Sequence, residues 1–431
     1  MFITIIFLIN LTSINYQFLL WIFFWLFLFL FTSRIEKKFI SPLWIVFLYF
    51  VTYYSIRPGY LLFFNTDPFL FNTYPADSSI FLSTFFFITI AYIPLCLGYL
   101  FSNYIKFQSP IQKSNSISEG FLVLSAIFFQ AFVVISAFII IINFGGLNRI
   151  ISIQSSLVQS IPESSIIIRL AWIFILTSFI PTSLVLVRYG YDIRLFAFLS
   201  LNILIGLIFG RRLAIISILM PIAVYHYFYI KSFSVFRGMF YYSITLVFLV
   251  SIVAIRIANS SLAGISIIDE SAEFFTWDMI ISLIYSYGVD TDFRMGADFL
   301  PKWIQQYFNI HGGFGYESIG QSLVNIYYPF FAGGVPPGIF GIFFMQGGYF
   351  ILAILSFFYG ILIKIIHNHF QERIFNKLYF LILYPFILIS IFHFTRLGDI
   401  WPTIIAQSRI FITVFLIFTL INNVRIEKKY S

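Results

Sequence analysis

Arginine is the residue type whose placement here calls for a chemical explanation. Nine arginines (Arg57, Arg149, Arg169, Arg211, Arg212, Arg256, Arg294, Arg396 and Arg409) lie on or near one side of an alternating series of apolar runs, with Lys302 as the lysine among them. A planar guanidinium binds phosphate through two parallel hydrogen bonds, which an ammonium cannot do. Gly210-Arg211-Arg212 falls between two apolar runs with almost no loop, so two such forks are held at one rim. Arg396 lies in His393-Phe-Thr-Arg396-Leu-Gly-Asp399, and Arg409 follows inside the last apolar run. A charge within such a run is costly and is a functional candidate by default. Arg256 ends one run and Arg169 begins another. Arg169, Arg211, Arg212, Arg256, Arg396 and Arg409 are therefore the candidate phosphate-binding set, able to ring one cavity. The competing explanations are ion pairs with nearby Asp and Glu and, for Arg211 and Arg212, snorkelling to lipid head groups.

Other chemistry is poorly represented. His226, His311, His367, His369 and His393 are scattered, and at i, i+2 spacing His367 and His369 would diverge on a helix. No metal site is expected. The single cysteine, Cys96, lies in an apolar run and excludes both an internal disulfide and a Cys-based metal centre. Asp290-Thr-Asp292 has the letters of a nucleotide-sugar motif but sits on the arginine side, away from any supply of nucleotide sugars. No phosphate-binding Gly-rich loop follows a strand, so no cofactor is expected, and the energy of any reaction must come with its substrate.

The elements that must position these residues follow from composition. Of 431 residues, 60% are hydrophobic, 22% aromatic and only 10% charged, with a mean hydropathy of +0.96. An ordinary soluble domain carries about 25% charged residues. A soluble enzyme, a secreted domain and a disordered chain are excluded, and nothing points to a nucleic-acid partner. The apolar runs are long and continuous, which argues for helices rather than a β-barrel. The expectation is an all-α polytopic membrane protein with about eleven transmembrane helices and one large outer loop carrying short amphipathic helices. The spans are placed at about 10–32, 41–62, 79–104, 120–143, 165–187, 195–209, 213–230, 239–257, 338–363, 378–393 and 402–422. The sixth and tenth are short. The run from Met1 has no Lys or Arg ahead of it and does not resemble a cleavable signal peptide, and it has room for one further interfacial helix.

Orientation follows from loop charge. One set of loops carries 15 basic and five acidic residues; the rest of the chain carries 10 basic and 12 acidic. The basic set is expected to face the cytoplasm, with the C-terminus inside and the N-terminus outside. Nine of the 15 inner cations are Lys, whereas nine of the ten others are Arg. The chain then divides into spans 1–8 (1–257), an outer loop (258–337) and spans 9–11 with a cytoplasmic tail (338–431). The outer loop holds eight acidic residues. Glu273–Tyr287 reads as a helix with Trp277, Ile281, Ile284 and Tyr285 on one side, lying at the membrane interface. Pro301–Ile310 reads as a second. From His311 to Gly348 the chain is rich in Gly and Pro, which suits either close approach to a bulky ligand or a plain turn into the membrane.

The short Gly-Arg-Arg turn, the large loop before the last three spans, the Pro-Pro-Gly start of the ninth span and the Arg-Leu-Gly-Asp last turn together resemble the Wzy-type O-antigen (oligosaccharide repeat unit) polymerases. The resemblance covers roughly residues 40–425, and it is architectural. It implies a metal-independent glycosyltransferase of lipopolysaccharide biosynthesis, multi-pass in the bacterial inner membrane, with its site facing the periplasm. Donor and acceptor would be oligosaccharides on undecaprenyl diphosphate, and a chain-length regulator and a flippase would be partners. Arg211, Arg212, Arg396 and Arg409 would stabilise the leaving diphosphate. Glu317, Asp298, His311 and His393 are the candidates for the general base. The related O-antigen ligases use similar arginines with an outer-loop histidine, which singles out His311. The competing functions are such a ligase, a flippase or exporter of lipid-linked oligosaccharide, and a scaffold. A transporter would carry more polar groups deep in its spans than Gln130, Asn202, Gln407 and Arg409.

Overall fold

The computed structural model describes residues 16–64, 78–102, 119–152, 166–209, 212–258, 275–286, 293, 299, 337–374, 377–398, 408 and 412. Among them all regular structure is helical. In chain order the α-helices are α1 (Tyr16–Ile35), α2 (Pro42–Phe50), α3 (Ile56–Phe64), α4 (Ser78–Phe101), α5 (Glu119–Asn143), α6 (Leu147–Ser152), α7 (Ile166–Leu176), α8 (Phe179–Tyr189), α9 (Ile193–Ile208), α10 (Arg212–Tyr225), α11 (Val235–Ala258), α12 (Phe275–Ser286), α13 (Gly338–Met345), α14 (Gly348–Gln371) and α15 (Lys377–Leu397). Five stretches are long and apolar enough to cross a bilayer: Tyr16–Ile35, Ile80–Phe101, Leu122–Asn143, Gly348–Gln371 and Leu378–Leu397. Ile193–Ile208 and Ile215–Ile230 are shorter apolar helices. The chain is an all-α membrane protein. Large apolar side chains such as Phe23 and Phe27 of α1 and Phe236 and Phe240 of α11 point outward, as lipid contact requires.

The expected spans from 10–32 to 378–393 fall on helices, and 402–422 lies outside the described residues. Two differ in form. The expected single span 338–363 is two helices, α13 and α14, separated at Gln346-Gly347. The amides of Gln346 and Gly347 turn back to Phe343 and Phe344, three residues earlier, and Gly348 sits at φ +67°, a conformation side chains resist. The expected interfacial helix is α12, and it is buried rather than laid on a surface. Trp277 and Ile281 are buried, but so are Met279, Ile280 and Leu283 on the other side. Trp277 donates from its indole to Thr84 of α4 at 2.9 Å.

The chain forms two compact units: Met1–Lys106, Val235–Ile366 and Ile391–Thr403 in one, and Phe107–Ser234, His367–Ser390 and Ile404–Ser431 in the other. In the first unit, the turn between α1 and α2 is fixed by Glu36. Its carboxylate accepts from the Lys38 amide (3.0 Å) and the Tyr99 hydroxyl (2.7 Å), and it pairs with Lys364 of α14 at 3.4 Å. The Trp44 indole donates to the Glu36 carbonyl at 2.9 Å. Ser41 caps α2 and Pro42 opens it, the usual order of helix-starting residues. α4 and α14 cross backbone to backbone: a Cβ on Gly98 would strike the Phe357 carbonyl, and one on Gly360 the Leu95 carbonyl. Small residues permit such crossings where lipid supplies no hydrophobic drive between helices.

In the second unit, α5 packs on α7 and α8, and α8, α9 and α10 pack on one another. Its buried polar centre is an amide pair. Gln130 donates to Asn202 at 2.8 Å and Asn202 back to Gln130 at 3.1 Å, and the Asn202 amide also reaches the Ser178 carbonyl at 3.2 Å. Ser178 lies at the break between α7 and α8, three residues ahead of Pro181, which has no amide hydrogen to continue the ladder. One apolar cluster joins Val133, Ala137 and Ile140 of α5, Ile150 of α6, Ile168, Ala171 and Ile175 of α7, and Ile205 and Phe209 at the end of α9.

Candidate functional site

In the first unit, α2 and α3 form one continuous rod interrupted by a π-helical turn, Val51–Ser55. Pro58 follows three residues after it, and proline cannot donate back to the preceding turn. The Leu48 carbonyl accepts from the Thr52 hydroxyl (2.8 Å) and the Tyr242 hydroxyl of α11 (3.3 Å). The Ser55 carbonyl accepts from the Trp21 indole at 3.3 Å. Wide turns of this kind recur at functional sites. Here the turn presents a tyrosine cluster: Tyr49 stacks on Tyr53 at 4.7 Å between centroids, and the Tyr49 and Tyr54 hydroxyls lie 3.1 Å apart. Arg57, two residues past the turn, is 2% exposed. α12 packs over the π turn.

The end of α15 lies against this face. The Phe392 ring is 6.5 Å from Tyr49 and 6.4 Å from Tyr53. Thr395 bonds the Ile391 carbonyl (2.7 Å) and the Tyr359 hydroxyl of α14 (2.8 Å). One turn beyond Phe392 stands Arg396, whose charge reaches the Tyr49 phenol and the His393 imidazole. His393 and Arg396 are i, i+3 neighbours and so share a face of α15. The Nδ1 atom of His393 is buried and makes no hydrogen bond to a described residue.

Two glycines hold this end together. Gly398 closes α15 with its amide on the Phe394 carbonyl at 3.1 Å and φ +70°. Gly338 opens α13 at φ +69°. A Cβ on Gly398 would come within 2.5 Å of the Gly338 carbonyl, and one on Gly338 would strike the Tyr49 hydroxyl. The Pro-Pro-Gly and Arg-Leu-Gly motifs, about 60 residues apart in sequence, are thus in backbone contact.

Of the candidate residues, the structure places His393 and Arg396 together in the first unit. Arg256 lies near the end of α11 in the same unit, while Arg169 near the start of α7 and Arg212 at the start of α10 belong to the second. In that second unit, the apolar cluster gathers Ile168, Ile150 and Phe209, so the backbones bearing Arg149, Arg169 and Arg212 lie at one end of it. Arg211, Arg409, Asp298, His311 and Glu317 lie outside the described residues. Among the described residues no three His, Cys, Asp or Glu side chains are grouped to hold a metal, and Cys96 is a buried free thiol. Sequence reasoning marked Arg57 only as one of nine arginines. The signal that could have raised it was Arg57-Pro58-Gly59 two residues after the Tyr53-Tyr54 pair within an apolar run.

No protein-family model, curated protein or solved structure matches this chain.

Proposed function

We propose that this protein is a Wzy-type polymerase that joins undecaprenyl-diphosphate-linked oligosaccharide repeat units at the outer face of the bacterial cytoplasmic membrane. The proposal includes eleven spans, an outer N-terminus, a cytoplasmic C-terminus and a periplasmic loop at 258–337. The observation that carries it is the meeting of Gly338 and Gly398, which sets the two glycine motifs against one another beside Arg396 and His393. That is the arginine-bearing end of the unit, and the lysine-bearing end, at Lys38 and Lys364, lies a helix length away.

In this reading the bond between the donor sugar and the lipid diphosphate breaks, and the acceptor hydroxyl takes the sugar. Arg396, with Arg211, Arg212 and Arg409, offsets the charge that develops on the diphosphate. The acceptor proton passes to one of Glu317, Asp298, His311 and His393. A transporter reading would use polar groups at depth as a path, and Gln130 and Asn202 instead satisfy one another.

The test is a lipopolysaccharide gel of the host strain lacking this gene, complemented with wild type and with Arg396→Ala, protein levels being matched by immunoblot. Core carrying a single repeat unit is expected in the deletion, a full ladder with wild type, and no ladder with Arg396→Ala. Bare core in the deletion would replace the polymerase with a flippase or a ligase. A full ladder with Arg396→Ala would remove the arginine site.

A further inference from the structure

We infer that the turn joining α8 to α9 is the head-group site for one anionic phospholipid, with its phosphate on Arg194 and an acyl chain along α9. The inference goes beyond the polymerase reading and does not depend on it. α9 presents one exposed face, formed by Ile193, Phe196, Leu201 and Leu204, while Leu195, Asn202 and Ile205 are buried. From Ile193 to Leu204 that face rises about 16 Å, close to half the roughly 30 Å apolar thickness of a bilayer. It therefore matches one acyl chain in one leaflet. Arg194 stands at the Ile193 end of the face, with 56% of its side chain exposed.

The arginine is positioned by its neighbours. Its guanidinium carbon lies 4.2 Å from the centre of the Tyr189 ring, and that of Arg188 lies 5.4 Å from the same ring. Two guanidinium groups thus share one aromatic side chain. Asp192 caps α9 by accepting from the Ile193 amide. It pairs with Arg194 through Nε at 3.7 Å, and the two terminal nitrogens of the fork lie outside that pair. The turn itself is pinned. Gly190 sits at φ +63°, a Cβ there would meet the Tyr225 hydroxyl at 2.8 Å, and the Tyr191 ring packs on Tyr225 at 5.5 Å. Tyr225 stacks on Tyr229, whose hydroxyl donates to the Ile374 carbonyl at 2.6 Å.

This placement calls for an anion. Arg194 lies in the first turn of α9, where a cation adds to the positive end of the helix dipole and is unfavourable. Asp192 offsets part of that charge, and Arg188 adds to it. A guanidinium already stacked on a ring loses little further freedom when it binds phosphate, and it can offer two parallel bonds. Tyrosine rings and basic side chains at one level are the pattern of a membrane interface. A soluble anion would use the arginine alone, whereas a phospholipid also covers the apolar face that continues from it. The head group is anionic because the ammonium of a zwitterionic lipid would lie beside two guanidinium groups.

The experiment uses the full chain purified in an uncharged detergent. Native mass spectrometry counts bound molecules during titration with phosphatidylglycerol, phosphatidylcholine or glycerol phosphate. Wild type is compared with Arg194→Gln, Arg194→Lys and Lys231→Gln, and the lipid-free unfolding midpoint of each is recorded. Lys231 is an exposed cation of the same unit, outside the proposed site, and serves as the charge control. Wild type is expected to bind one phosphatidylglycerol about tenfold more tightly than phosphatidylcholine. That preference should vanish in Arg194→Gln, fall several-fold in Arg194→Lys, which keeps the charge and loses the fork, and persist in Lys231→Gln. Arg194→Lys decides the matter if Arg194→Gln does not fold. Equal affinity of wild type for the two lipids overturns the inference, as does an undiminished preference in a folded Arg194→Gln or in Arg194→Lys. Equal loss in Lys231→Gln would reduce the site to general surface charge and overturn it too. Glycerol phosphate bound as tightly as phosphatidylglycerol would assign the turn to a soluble phosphate and overturn the lipid. Each of these outcomes leaves the polymerase reading to its own gel.

Discussion

Glu36 and Lys364 are two little-exposed charges paired across the first unit. The Glu36 carboxylate takes the Lys38 amide, the Tyr99 hydroxyl and the Lys364 ammonium, and the ammonium also lies 4.4 Å from the Tyr99 ring centre. Both side chains are little exposed, at 13% for Lys364 and 9% for Glu36. Removing one partner of such a pair strands the other charge, at a cost of about 3–5 kcal/mol. Lys364→Met is therefore expected to lower the unfolding midpoint in detergent sharply. The double variant Glu36→Gln with Lys364→Met should recover part of the loss. A double variant no better than the single one would show that the ion pair contributes little. Neither partner was legible as a pair from the sequence, where Glu36 and Lys364 were only loop charges counted toward topology. Across a separation of 328 residues no local pattern pairs them.

Among the elements, the crossing of α4 and α14 is the most constrained contact. Gly98 and Gly360 each face the other helix's backbone with no room for a Cβ. Gly360→Val is expected to force the helices apart, lowering folded yield and the unfolding midpoint by more than the roughly 1 kcal/mol of a surface glycine change in a helix. A mild effect, measured by size-exclusion yield and thermal unfolding, would mean the crossing relaxes easily. The helices themselves were legible because the bilayer demands continuous apolar runs. Their interruptions were less so. Gly347-Gly348 was read as part of a glycine-rich approach, but the split into α13 and α14 depends on a positive φ at Gly348 that packing decides. Burial of α12 was likewise hidden: an apolar stripe at helical spacing fits an interfacial helix and a packed one alike. Arg396 and His393 were each legible as candidates because they fall within one short polar motif at the end of an apolar run. Their neighbours Tyr49, Tyr53 and Tyr359 were not, because nothing in an apolar run says which helix it will meet.

At the scale of the whole chain, the first unit has chemically distinct ends. It has Glu36, Lys38 and Lys364 toward the start of α2, and Arg57 about 20 Å further along that rod. In the second, the backbones of Arg149, Arg169 and Arg212 share one end. This is what alternate spans with Lys-rich inner loops would produce. Cysteine labelling tests the orientation, in a Cys96→Ala background. Asn148→Cys is expected to react with a membrane-impermeant maleimide in intact spheroplasts, and Lys37→Cys only after lysis. The reverse pattern would invert the proposed topology and move the arginine end to the cytoplasm.

The wide turn at Val51–Ser55 also acts as a phase shifter. An α-helix advances about 100° per residue, so a rod one residue shorter at that point would carry the same apolar sequence with its second half rotated by about that angle. The half anchored at Ser41 and Trp44 would stay in place while α3 turned about its axis relative to it. Which side chains this rod presents is thus tuned by its length at a single turn, independently of their identity.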